Sequence, residues 1–150
     1  MIYGELGRYP IEIDIKLRCI SFWGRLVSGK QTKISHILYR LCKTMHDSNV
    51  PFCWMAFIQK ILNECGYSYV WNFENFESVN WLKNVVKQRL IDQFVQNWNS
   101  KIFESPKAFN YRIFKTNFEF EEYFNILQLT DALKFCRFRT SNHKLPIVKG

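Results

Sequence analysis

Histidine is the side chain best suited to moving protons near neutral pH, and this chain has three: His36, His46 and His143. None is followed at i+3 or i+4 by a His, Cys or acidic residue, the spacing that sets two metal ligands on one helical face. His36 stands beside Ile34, Ile37 and Leu38, where a structural or surface histidine is the expected outcome. A Cys–His nucleophile pair brought together only by the fold has no local signal. Among the glycines, Gly4-Glu5-Leu6-Gly7 does not match a phosphate loop. Ser28-Gly29-Lys30-Gln31-Thr32 has a Gly-Lys-x-Thr form, but it lacks the upstream glycine and follows a helical pattern rather than a strand. Glu119, Glu121 and Glu122 cluster among Phe118, Phe120, Tyr123 and Phe124. Close carboxylates can hold Mg²⁺, yet a solvated helix face at an aromatic edge is the commoner result. No Asp-Asp doublet occurs. The expectation is a chain with no catalytic residue, no metal site and no cofactor, and so not an enzyme.

The stronger chemical pattern is cationic. Lys134, Arg137, Arg139, Thr140, Asn142, His143 and Lys144 interleave with Phe135 and Phe138. Lys and Arg neutralise phosphates and release counterions, while aromatic faces stack on unpaired bases. The plainer account is a basic helix end favoured by the helix dipole, with the Phe residues turned inward. The net charge of +8 is also unevenly spread. Residues 1–48 carry eight Lys/Arg against four Asp/Glu, residues 49–130 eight against eight, and residues 131–150 five against one. Positive ends around a neutral middle suit a polyanion. The residues expected to meet phosphates are Arg8, Lys16, Arg18 and Arg25 toward one end, and Lys134, Arg137, Arg139, His143 and Lys144 toward the other. Lys83, Lys87 and Arg89, in the neutral middle, are expected to matter much less.

These residues need a frame. A chain of 150 residues is the size of one domain, and one domain over 1–150 is the expectation. Pro10 suits a helix start, and Ile15, Cys19, Phe22, Trp23 and Leu26 then fall on one face, with Lys16, Arg18 and Arg25 off its centre. Ser28-Gly29-Lys30 ends that pattern. Ile34, Ile37, Leu38, Leu41 and Met45 form a second stripe. Pro51 opens a third, through Trp54, Phe57, Ile58, Ile61 and Leu62, and Gly66 stops it. Tyr67–Phe73 reads as a short, aromatic-rich, extended connector. The longest pattern runs through Val79, Leu82, Val86, Leu90, Phe94 and Trp98 to about residue 102, with Ser105-Pro106 after it. Tyr111–Lys115 looks extended, and a short helix is expected within Phe118–Leu127. A last helix from Thr130 carries Leu133, Phe135, Cys136 and Phe138, and residues 141–150 form a basic irregular tail. The fold class expected is all-α, a bundle of five to six helices with short connections. No stretch reaches the roughly 18–20 apolar residues of a membrane span. Five cysteines at wide, unpatterned spacing argue for reduced structural thiols and an intracellular, cytoplasmic or nuclear, location.

Two stretches at opposite ends carry a resemblance. Met1-Ile-Tyr-Gly-Glu-Leu-Gly-Arg-Tyr-Pro-Ile11, running into Ile15-Lys16-Leu17-Arg18 and Phe22-Trp23, resembles the segment that follows the polymerase in LINE-type (non-LTR) retrotransposon polyproteins. Phe138-Arg-Thr-Ser-Asn-His-Lys-Leu-Pro-Ile147 resembles a second segment of those polyproteins, just before their small Cys/His motif. Asn63-Glu64-Cys65-Gly66 and Phe114-Lys115-Thr116 sit between them in the matching order. The resemblance implies a fragment of a larger polyprotein, lying between reverse transcriptase and Cys/His motif. No position matches the polymerase's catalytic aspartates, so what it implies is a non-catalytic accessory role in gripping RNA or DNA. The polymerase part of the same polyprotein is the implied protein partner. The alternative is a helical scaffold that docks on a partner protein through exposed aromatics. Nucleic-acid binding should weaken steeply with salt, and aromatic docking should not.

Overall fold

A computed structural model describes residues 2–50 and 53–141, and the chain is all-α. Its helices are α1 (Ile2–Glu5), α2 (Ile11–Val27), α3 (Ile34–Asp47), α4 (Cys53–Glu64), α5 (Ser68–Phe73), α6 (Val79–Glu104), α7 (Phe109–Phe114), α8 (Tyr123–Ile126) and α9 (Leu129–Arg139), with a 3₁₀ turn at Pro106–Ala108. The five longest, α2, α3, α4, α6 and α9, coincide with the five firm periodic patterns. No strand forms among the described residues; Leu6 and Phe120 make an isolated antiparallel bridge. Two segments expected to be extended are helical instead, as α5 and α7. Aromatic residues favour strands only weakly, and burial of Val70 and Trp71 in α5 and of Tyr111 in α7 overrides that preference. The basic tail lies outside the described residues from position 142 onward. Among the described residues no helix is long and apolar enough to cross a membrane.

The chain divides into two compact units, residues 11–92 and residues 1–10 with 93–150. In the first, α2 buries Ile13, Leu17, Ile20 and Trp23, whereas Ile15 and Phe22 of the expected stripe are half exposed. This helix is apolar around most of its circumference, so periodicity alone allows either stripe. Trp23 stacks on Trp71 with centroids 5.9 Å apart. Ile58, Ile61 and Leu62 of α4 and Leu82 and Val86 of α6 are likewise buried. At Gly24 the helices α2 and α6 come close, since a Cβ there would lie 3.4 Å from both methyls of Val79. Gly66 stops α4 as expected, at φ +82°, while the Tyr67 N–H donates to the Leu62 carbonyl at 2.7 Å.

Helix α3 departs from its pattern. Its apolar stripe is exposed, and it enters the core through polar side chains. His36 Nδ1 lies 3.0 Å from the Leu26 carbonyl oxygen, the Tyr39 hydroxyl donates to Glu74 Oε1 at 2.5 Å, and Lys43 Nζ sits 3.8 Å above the Trp71 ring. Each inward polar group has a partner, so the orientation is specified rather than accidental. Burial, then the hydrogen bond and charge of Glu74, push the Tyr39 phenol far above its ordinary range, so it stays a neutral donor.

In the second unit, Trp98, Ile102, Ala108 and Tyr111 form a buried cluster lined by Phe94 and Phe118. Tyr9 stacks on Phe118 at 5.1 Å, and Phe118 meets the edge of Trp98 at 5.2 Å. Five aromatic rings, those of Tyr9, Phe94, Trp98, Tyr111 and Phe118, thus meet in and around this cluster. Gly4 is required there, because a Cβ would come within 2.5 Å of Trp98 Cζ2 and 2.6 Å of the Tyr111 hydroxyl. Of the four cysteine side chains described, Cys65 is buried and Cys19, Cys42 and Cys136 are half-buried, so among them the expected shielding is complete at Cys65 alone.

Candidate nucleic-acid interface

On α2, Asp14, Arg18, Ser21 and Arg25 follow one another at i, i+4, i+7 and i+11, which places them on one side of the helix. On α6, Lys83 and Lys87 are one turn apart. The close approach at Gly24 brings these two rows to the walls of one groove, with Leu17 also lining it and a volume of about 490 Å³. Arg18, Arg25, Lys83 and Lys87 are all exposed. The Ser21 hydroxyl is turned back onto the Leu17 carbonyl at 2.7 Å. Four cations thus share the groove with one carboxylate. Like charges held on facing walls raise one another's energy, and an anion seated between them relieves it.

Arg18 and Arg25 are among the contacts expected from the sequence, whereas Lys83 and Lys87 lie in the charge-neutral middle and are expected to matter much less. Charge summed along the chain does not show which helices face each other. The available signal was that Lys83 and Lys87 each follow a core position, Leu82 and Val86, of the helix pattern.

The remaining candidates are placed differently. Lys16 is paired with Glu12 at 2.7 Å and is mostly covered; its hydrogen bond and charge hold the Glu12 carboxyl below the usual range. Arg8 and Arg137 are exposed. Lys134 is exposed and paired with Asp131 at 3.0 Å. His143 and Lys144 lie outside the described residues. Arg139 requires a correction. Its side chain is 7% exposed, its Nη1 donates to Glu121 Oε2 at 2.7 Å, and its Nη2 lies 3.5 Å from Glu5 Oε1. The rings of Tyr123, Phe114 and Phe135 surround the guanidinium at 5.5 to 5.9 Å. A cation so enclosed and neutralised does not reach a phosphate.

Arg139 instead belongs to a buried network. Glu5 is fully buried and accepts a hydrogen bond from the Tyr123 hydroxyl. Lys115, 2% exposed at its side chain, donates to Glu121 Oε1 and to the Glu119 carbonyl, each at 2.5 Å. Burial raises the Glu121 carboxyl, but hydrogen bonds from Lys115 and Arg139 outweigh it and hold the group below its ordinary range. Burial and the neighbouring Glu5 raise the phenols of Tyr111 and Tyr123. Of the acidic cluster expected to form one solvated face, Glu119 and Glu122 are exposed but Glu121 is drawn inward. Among the described residues no three His, Cys, Asp or Glu side chains converge as a metal site would require. Comparison with protein-family models, with curated proteins and with solved structures finds no match.

Proposed function

We propose that this chain is a nucleic-acid-binding accessory segment of a LINE-type retrotransposon reverse transcriptase, non-catalytic by itself, that grips the phosphate backbone of RNA or DNA in the α2–α6 groove. The observation that carries the reading is the convergence of Arg18, Arg25, Lys83 and Lys87 around a cleft with a single opposing acid, Asp14. The order of the resembling segments along the chain supports the origin. Phosphate contacts hold a strand without reading its bases, so affinity should depend on charge and salt more than on sequence. Such a role belongs in the cytoplasm or nucleus, where template RNA and target DNA are found.

The test is titration of the full chain into labelled single-stranded RNA, single-stranded DNA and duplex DNA of unrelated sequences, at low and raised salt. Binding that is insensitive to sequence, steep in salt and weakened alike for all ligands by Arg18→Gln with Arg25→Gln supports the reading. Absence of binding at low salt refutes it.

A further inference from the structure

Helix α3 turns its aliphatic side outward. Ile34, Ile37, Leu38, Leu41 and Met45, at i, i+3, i+4, i+7 and i+11, are between 38% and 75% exposed, while His36 and Tyr39 of the same helix are buried. Burying an aliphatic side chain of this size stabilises by about 1.5–3 kcal/mol, so a helix free to rotate would bury this stripe. The partnered polar groups on its other side keep it in place. The result is one contiguous apolar ridge, about 20 Å long for a helix of this length, of the kind that amphipathic helices recognise.

Charge and area decide what covers it. Lys30 and Lys33, both exposed, stand at the start of α3, and Arg40, half exposed while it pairs with Glu74 at 2.7 Å, borders the ridge beyond them. The helix's own acid, Asp47, lies at the far end within reach of Lys43 and His46. A two-fold pairing with a second copy would set Lys30 and Lys33 against Asp47, an acid already engaged by Lys43 and His46, so no free carboxylate would meet them. One helix face also falls well short of the roughly 800 Å² per partner that a stable interface buries. We propose that the α3 ridge docks an amphipathic helix of another protein whose apolar stripe is bordered by carboxylates, with acidic residues meeting Lys30 and Lys33. The surface is separate from the α2–α6 groove and does not depend on nucleic-acid binding.

The experiment titrates the full chain with two synthetic amphipathic peptides of roughly 18 residues, long enough to hold a helix. Both carry Leu at the spacing of the ridge; one is bordered by Glu and the other by Lys. The Glu peptide should bind with Kd on the order of 10 μM, and the Lys peptide at least about tenfold more weakly. The double variant Ile37→Gln, Leu41→Gln, which keeps helix propensity, should lose binding of the Glu peptide by about tenfold or more, with circular dichroism and Tm unchanged. Lys33→Glu should narrow the preference between the peptides. Lys83→Gln with Lys87→Gln should leave it intact. Equal binding of both peptides, no binding of the Glu peptide, or full binding by the double variant overturns the proposal. So does a lowered Tm in the double variant, which would mean that the ridge is covered within the fold. A dimer in sedimentation that the double variant converts to monomer would make a second copy the occupant, and would also overturn it.

Discussion

Replacing Lys83 and Lys87 by Gln removes half the cations of the α2–α6 groove without touching the core, because both side chains are exposed. Each phosphate contact on a single strand contributes about −0.7 to the slope of log affinity against log salt, so four contacts give about −3 and two about −1.4. Between roughly 50 and 200 mM salt the intact chain should lose about 50-fold in affinity, and the variant only about 7-fold. Asp14→Asn, which removes the acid of the α2 wall, should raise affinity by about two- to fivefold, the range of a solvent-screened charge interaction. Fluorescence anisotropy of a short labelled RNA across a salt series measures all three, with circular dichroism as the control for folding. The groove is ruled out as the grip if the Lys83, Lys87 variant keeps the full slope while Lys134→Gln with Arg137→Gln flattens it. That pattern would place the grip at the C-terminal end, where charge along the sequence alone puts it.

Further expectations rest on the buried network and on the aromatic core. Arg139→Gln leaves the fully buried Glu5 without its cation and Glu121 with Lys115 alone, and should cost about 3–5 kcal/mol in chemical denaturation, whereas Arg137→Gln should be nearly neutral. Because the folded Glu121 carboxyl is held below its ordinary value, its contribution is complete above about pH 4.3 and is lost as pH falls through the depressed value. Glu121→Gln should therefore flatten the acid limb of an unfolding titration, and an unchanged limb would assign acid sensitivity elsewhere. Gly4→Ala should destabilise by about 1–3 kcal/mol, since its Cβ meets Trp98 and Tyr111, and a neutral result would show that these rings can move aside.

The all-α class and the five long helices were legible because a 3.6-residue period repeats clearly in each. The buried side of a helix was less so. On α6, where apolar residues keep to one stripe, Leu82, Val86, Leu90 and Trp98 are buried as read. On α2, a surplus of apolar residues makes two stripes equally plausible, and Ile13 and Leu17 are buried in place of Ile15 and Cys19. On α3, the period identified the helix correctly and its interior side wrongly, because His36, Tyr39 and Lys43 find their partners in Leu26, Glu74 and Trp71, distant in sequence. Arg139 was misread for the same reason. A basic residue beside Phe138 at a helix end looks solvent-facing until Glu5, from the opposite end of the chain, is placed against it.

The same distinction separates charge that is present from charge that can act. Counterion release depends on cations not already neutralised by a neighbour. Lys16, Lys60 and Lys134 each stand within four residues of an acid that pairs with them, so their fields largely cancel close to the surface. Lys115 and Arg139 are matched by Glu121 inside the fold. In the groove, one carboxylate faces four cations drawn from two helices far apart in sequence. The proposed grip therefore rests on this groove, although the Lys83–Lys87 wall belongs to the part of the chain whose charges sum to zero. Local imbalance across a packed helix pair, rather than imbalance along the sequence, is the quantity that should direct where a phosphate backbone settles.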